Sequence, residues 1–314
     1  MNKTLILLAA VSFGWAAASQ AATVQTVSVQ NGGAIDPSCG VPQSEQAAGP
    51  EQISVVVQNT QSGCRVDVSA GTLGGGLTVT GTAGAFEGST SAVRIRATAT
   101  QSTAGLMLTP LFDVNTYTGP TYIGLSANIA FDGFLDAEVA QGVPFVRSAA
   151  AFLRADATIT GKSGPNLFDT ARNTRTYENS VGVINSPGED LAFDLINAML
   201  LPTISHDWRA PFSLAMSLTG TAGAFGSGDT KATGVFDSGN TLSFSKTGPA
   251  FLLPDGFTIS APELNIVNNR WIDPRVQVSP VPLPAGVPLL LAAVGSLALA
   301  RRAGLKRRNL KRQG

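Results

Sequence analysis

The chain has 314 residues, with 21 Lys and Arg against 21 Asp and Glu and a single His. Seven of the cations fall in the last fourteen positions and one is Lys3, so residues 22–280 hold thirteen cations against all 21 acids, a net charge of −8. A body of that sign is repelled by phosphate backbones, which argues against a nucleic-acid partner. Two Cys with one His cannot complete a closed four-ligand zinc site.

Met1 to Ala21 reads as a secretory signal peptide. Lys3 gives the positive start, Leu5 to Ala18 the apolar segment, and Ser19-Gln20-Ala21 the small residues before a cut that leaves Ala22 first. Such a leader implies the Sec translocon and signal peptidase as partners. Cys39 and Cys64 then sit in the exported part, where disulfides persist. Pairing them would close a 26-residue loop worth roughly 3 kcal/mol in the chain-entropy model; the alternative is two free thiols.

Residues 22–280 are rich in Thr, Ser, Gly, Ala and Val, and alternation with a period of two recurs. Val93-Arg94-Ile95-Arg96-Ala97-Thr98-Ala99-Thr100 puts apolar side chains on one face and polar ones on the other, and Cys64 to Ser69, Leu77 to Thr80 and Leu242 to Ser245 follow the rule over shorter runs. This is the pattern of half-buried antiparallel strands. One helix is expected after Asn185. Ser186 can cap it, Pro187 suits its first position and Glu189 completes a capping box; Leu191, Leu195, Ala198 and Met199 share a face before Pro202 stops the run. Later, Pro254-Asp255-Gly256 separates Phe251-Leu252-Leu253 from Phe257-Thr258-Ile259, and Asn268-Asn269 separates Leu264 to Val267 from Trp271-Ile272, both as hairpin turns. Thr-Gly-Thr-Ala-Gly-Ala-Phe occurs twice, at Thr80 to Phe86 and Thr219 to Phe225, which in a chain this rich in Gly, Ala and Thr reads as coincidence or a shared hairpin type rather than full duplication. The expected body is one elongated antiparallel β-sandwich, jelly-roll-like, with one short helix. Two stacked β-domains meeting near Asn185 are the alternative.

No catalytic set assembles from the sequence. A Ser-His-Asp arrangement would have to use His206, whose neighbour Asp207 is badly placed as its orienting partner in a strand, and there is no G-x-S-x-G elbow. His206 reads as a polar loop residue beside Trp208. Gly161-Lys162-Ser163 copies the end of a phosphate-binding loop, but Asp156 stands where its first Gly belongs. Asp237-Ser238-Gly239 resembles the aspartic-protease triplet, yet the nearest second copy, Asp169-Thr170-Ala171, lacks the Gly. Asp132, Asp136 and Glu138 match no established Ca²⁺ loop and read as a solvated acidic face. No metal or cofactor is expected. Paired carboxylates for sugar hydrolysis show only in space.

The end of the chain carries the most specific signal. Val281 to Ala300 is uncharged, and as a straight helix it would span ~30 Å. Pro282, Pro284 and Pro288 crowd its first third, so Val281 to Ala285 should be extended and a helix should begin near Pro288. Arg301, Arg302, Lys306, Arg307, Arg308, Lys311 and Arg312 follow, a stop signal that keeps the C-terminus cytoplasmic. The signature Val281-Pro282-Leu283-Pro284-Ala285, then Gly286, an apolar helix and Arg-Arg, resembles the C-terminal sorting signal of PEP-CTERM proteins, in the variant named for VPLPA. Leu283-Pro284-Ala285-Gly286 has no Thr before the Gly, which disfavours sortase. The tail runs longer than a bare Arg-Arg end, and the resemblance covers about the last 34 residues. It implies export from a Gram-negative cell, a precursor anchored in the inner membrane, cutting near the signature by an exosortase (a membrane-embedded protease), and a final place at the cell surface or outside, in a biofilm or exopolysaccharide matrix.

The expected architecture is therefore a signal peptide (1–21), an exported β-body (22–280) and a sorting signal (281–314), without enzymatic activity. A secreted glycan-acting hydrolase is the alternative. A concave groove with two facing carboxylates would favour the hydrolase, and a flat face lined by Thr and Ser would favour binding or structure.

Overall fold

The computed structural model describes residues 22–33, 43–49, 53–61, 64–85, 91–140, 147–183, 190–226, 231–238 and 242–275. The signal peptide, Cys39, the capping residues Ser186, Pro187 and Glu189, and the whole of 281–314 lie outside these residues.

Strands dominate what is described. The chain begins with β1 (Ala22–Gly33), β2 (Gln43–Gly49), β3 (Ser54–Gln61), β4 (Cys64–Thr72), β5 (Gly76–Ala85) and β6 (Ser91–Leu106). It continues through β7 (Thr109–Pro110), β8 (Tyr122–Ala127), β9 (Ile129–Ala140), β10 (Arg147–Lys162), β11 (Phe168–Val183) and β12 (Asp190–Leu200). After β13 (Thr203–Asp207) come β14 (Phe212–Gly226), β15 (Lys231–Asp237) and β16 (Leu242–Phe244), then the short β17 (Phe251–Leu252), β18 (Phe257–Thr258), β19 (Ile266–Val267) and β20 (Arg270–Trp271). Described residues up to Pro274 group into one unit.

Two large antiparallel sheets pack face to face. The first runs β11-β10-β14-β6-β1-β2 and the second β12-β9-β15-β5-β4-β3, with β16 beside β5 and β9. Across the interior some facing strands are neighbours in the sequence, as β2 and β3, β5 and β6, β9 and β10, β11 and β12, and β14 and β15 are, while others are distant in it, β5 against β14 foremost. The chain thus crosses repeatedly from layer to layer, and β14 and β15, from beyond residue 185, lie between earlier strands in both sheets.

Alternation of side chains decides which face is buried. In β6, Val93, Ile95, Ala97 and Ala99 are buried while Arg94 and Arg96 are exposed, as their alternation predicts. β14 alternates without a break over its fifteen residues. The inner faces hold many small side chains, among them Ala83, Ala85, Ala97, Ala99, Ala149, Ala151, Ala222 and Ala224. Layers faced with alanine approach closely, and a ring between them needs a gap. Phe236, fully buried on β15, finds one. Its cross-strand partner Gly81 and Gly220 of the opposite sheet both lie against the ring, so that a Cβ would sit 2.4 Å from it at Gly81 and 2.3 Å at Gly220. These are the equivalent glycines of the two Thr-Gly-Thr-Ala-Gly-Ala-Phe copies, one on β5 and one on β14.

The helix expected after Asn185 is a strand. Asp190–Leu200 pairs with β9 along its whole length, from Asp190↔Val139 to Leu200↔Ile129. Ile196 and Leu200 turn inward with Ala198 partly covered, while Leu195 is 78% and Met199 39% exposed. The helical face is therefore split by a two-residue period. Its capping signals were local, whereas the edge of β9 offers eleven residues of backbone pairing and a core face to cover, which overrides weak propensity.

The late turns are mixed. Asn268 and Asn269, with φ of 49° and 60°, turn β19 into β20 as expected, a two-residue turn with both φ positive. Phe251-Leu252 and Phe257-Thr258 do not pair with each other: β17 joins β8, and β18 joins β7. Beside these short strands lies an aromatic cluster, in which Phe112 stacks on Tyr117 at 4.1 Å, both meet Trp208 and Phe257 edge-on, and Trp208 and Phe257 are tilted against each other.

Gly220→Val should overpack the Phe236 site and cost ~1–3 kcal/mol, a fall in Tm of several degrees at ~2–4 °C per kcal/mol. Phe236→Leu in the same chain should recover part of the loss in a thermal melt. An unchanged Tm in the single variant would show that the ring has room to move.

Candidate functional site

The outer face of the first sheet carries the candidate site. Registers place its outward residues in rows across the strands. One row is Arg96, Thr221, Phe152 and Glu178; the next is Thr98, Thr219, Arg154 and Thr176; the next is Thr100, Ser217, Asp156 and Thr174. On the other side of Phe152 lies the row Arg94, Gly223 and Ala150. Here a cleft of ≈ 800 Å³ opens, with Ala150 and Gly223 as floor, Arg94 and Arg96 along one wall and Phe152 with Phe225 at its ends. Beneath that floor the two layers meet: a Cβ on Gly234 of β15 would lie 2.5 Å from the Ala150 carbonyl oxygen and 2.9 Å from that of Gly223.

Asp156 organises the other flank. Arg154 donates to it through Nε at 2.9 Å and Nη2 at 3.3 Å, Arg172 through Nε at 3.0 Å and Nη2 at 2.7 Å, and the Thr174 hydroxyl at 2.5 Å. Burial of the carboxylate works to raise its pKa, but the bonds from Arg154, Thr174 and Arg172 outweigh it and hold the group below the ordinary value. A carboxylate so held is a poor proton donor. The cleft's other acid, Glu178, lies beside Phe152 and four residues along β11 from Thr174, the neighbour of Asp156. That is ~13 Å of strand at ~3.3 Å per residue, beyond the ~5–9.5 Å between working carboxylates of a glycosidase.

The residues singled out from the sequence are dispersed. His206 is on β13 rather than in a loop and is fully buried, packed edge-on against Phe212. Its Nε2–H donates to the Ala210 carbonyl at 3.1 Å, while Nδ1 has no hydrogen-bond partner among the described residues. Gly161, at the end of β10, leaves room for that ring: a Cβ there would sit 2.4 Å from Nδ1. Asp207 accepts from the Arg209 backbone N–H at 3.1 Å, in a turn rather than toward His206. Burial lowers the His206 pKa against the opposing pull of the Ala210 backbone, the charge of Asp207 and the Lys162 backbone. Asp237 and Asp169 stand on strands of different sheets. Ser238 is buried, accepting from Val79 N–H and donating to Val79 O at 2.9 Å each, and Asp169 accepts from Ser205 N–H at 3.1 Å.

Asp132, Asp136 and Glu138 share the outer side of β9, in the second sheet. Asp136 has a raised pKa, from partial burial first and the charge of Glu138 second. Among the described residues, no three metal-ligating side chains are grouped to hold an ion. Of the proposed disulfide only Cys64 is described, at the start of β4.

Sequence reading missed the arginine cleft. It treated the basic residues as a tail signal, whereas Arg94, Arg96, Arg154 and Arg172 meet on one face from three strands spread over eighty residues. The outward parity of Arg94 and Arg96 was visible in the β6 alternation; their company was not.

A histidine whose folded pKa is depressed binds fewer protons folded than unfolded, so stability falls as pH drops below ~6.5, the ordinary value. Melting temperature should therefore decline between pH 7 and pH 5, and His206→Asn should flatten that slope. Equal slopes in both proteins would mean that the ring titrates freely. Compared with known proteins, the chain matches no family model and no curated protein.

Proposed function

We propose that the chain is an exported, non-enzymatic protein of the cell surface or extracellular matrix, sorted through residues 281–314. The observation that carries this reading is the order of three features: Val281-Pro282-Leu283-Pro284-Ala285-Gly286, an apolar segment to Ala300, and the cations Arg301, Arg302, Lys306, Arg307 and Arg308. Met1 to Ala21 directs the chain to the Sec translocon and signal peptidase. The basic run then holds a precursor in the inner membrane with a cytoplasmic C-terminus, and an exosortase-type protease cuts near the signature. The mature protein reaches the surface or the surrounding exopolysaccharide, its body stapled by Cys39 and Cys64.

The body suits this role. The orders β5-β15-β9-β12 and β6-β14-β10-β11 follow the winding of an eight-stranded jelly roll, extended by β1 to β4, which supports the jelly-roll-like sandwich. Its outer face is lined by Thr98, Thr100, Ser217, Thr219, Thr221 and Thr174, a surface for contact rather than reaction. The hydrolase reading loses support from the spacing and pairing of Asp156 and Glu178.

Replacing Pro282 and Pro284 with Ala should lengthen the apolar helix toward a full ~30 Å span and convert a processed, released protein into a stably anchored one. Fractionation with an antibody to the body compares the two. Wild type found intact in the inner membrane with Gly314 present would leave only a plain anchor. Intact mass of the mature protein should show both cleavages and a loss of two hydrogens for the disulfide, and two thiols open to labelling after denaturation without reductant would remove that bond.

A further inference from the structure

We infer that the cleft over Ala150 and Gly223 binds a carboxylate-bearing saccharide, with Arg94 and Arg96 as the anion-binding groups and Phe152 as the platform for a sugar ring. Of the four arginines lining the cleft, Arg154 and Arg172 are already committed to Asp156. Arg94 and Arg96 are exposed and form no ion pair with another described residue. They stand two positions apart on one strand, ~6.6 Å by strand rise, so they can present adjacent guanidinium forks, whose planar geometry matches carboxylates. Two such cations on a body of net charge −8 mark a local reversal of sign.

The rest of the cleft selects among anions. β6, β14 and β10 each have a paired neighbour on both sides, so an extended acidic peptide finds no free strand edge to join. The net charge of −8 opposes a nucleic acid. The half-buried Phe152 ring flanks a floor of Ala150 and Gly223, with Thr221, Thr219 and Ser148 close by. An apolar surface beside hydroxyls suits a sugar, which has one C–H-rich face and hydroxyls at its rim. The cleft is half-open rather than enclosed, which admits a polymer lying across the sheet.

This inference deepens the surface-protein reading by naming the class of ligand, and it is tested apart from export. The full chain, purified in detergent, is titrated calorimetrically with polygalacturonate oligomers, with the same oligomers methyl-esterified, and with poly-L-glutamate. Saturable binding of the free acid is expected, with at least tenfold loss on esterification and no binding of poly-L-glutamate. R94Q/R96Q should weaken binding at least tenfold without moving Tm, and R96K, which keeps the charge but loses the fork, should weaken it severalfold. R175Q, on exposed β11 outside the cleft lining, should change nothing. Equal binding of the ester or of poly-L-glutamate, no binding of the free acid, or full affinity in R94Q/R96Q overturns the proposal. If R94Q/R96Q lowers Tm, R96K decides alone, and full affinity there overturns it. A protein that binds the free acid yet stays in the inner membrane refutes the sorting reading only. One that is exported and ignores polygalacturonate refutes this inference only.

Discussion

How closely the two sheets approach governs the rest of this structure. Their inner faces are built largely of alanine and valine, so the layers close down until large side chains have to be accommodated one by one. Phe236 is accommodated by Gly81 in its own sheet and Gly220 in the other, and near the cleft Gly234 brings one layer's backbone against the carbonyls of Ala150 and Gly223. None of these glycines is needed for a turn. Each is needed because the place of a Cβ is already taken. Dispersion contacts fall away steeply with a small gap, so a narrow interlayer with few voids is how small side chains yield a stable core.

Charge is partitioned between the faces. The acidic body puts Asp132, Asp136 and Glu138 on the outside of the second sheet, while Arg94, Arg96, Arg154 and Arg172 gather on the first. β11, at the edge of the first sheet, carries Asp169, Arg172, Arg175 and Glu178 along a strand whose outer backbone would otherwise invite pairing. Mixed charge on an edge of this kind discourages joining by another chain. The edge strand β12 is protected less, since Leu195 is exposed there.

Class and alternation were legible in the sequence because a two-residue period is a local property. Val93 to Thr100 placed every side chain on its correct face, and Asn268-Asn269 announced a turn that only residues tolerant of positive φ make well. Partnership was not legible. The segment Asp190–Leu200 has helix-compatible spacing as well as strand-compatible spacing, and only β9 beside it decides which is used. Pro254-Asp255-Gly256 does turn the chain, but which strands its flanks join depends on β7 and β8, more than a hundred residues earlier. The repeated Thr-Gly-Thr-Ala-Gly-Ala-Phe was visible, but its physical meaning, two glycines on opposite layers admitting one ring, needs the layers superposed. His206 failed as a loop prediction for a related reason: polarity suggested solvent, while the gap left by Gly161 and the carbonyl of Ala210 made a buried place for it.

Several polar side chains singled out from the sequence are already occupied within the fold. His206 is sealed from solvent with its pKa lowered by burial, Ser238 is spent on the Val79 backbone, Asp169 on Ser205, and Asp156 on two guanidinium groups and a hydroxyl. A catalytic acid or base needs a pKa near the working pH and access to substrate, and none of these groups has both. Arg94 and Arg96 remain exposed beside a half-buried ring and a floor too small to fill the cleft. Guanidinium groups stay protonated at ordinary pH, so what they can offer a ligand is position, charge and hydrogen-bond donors.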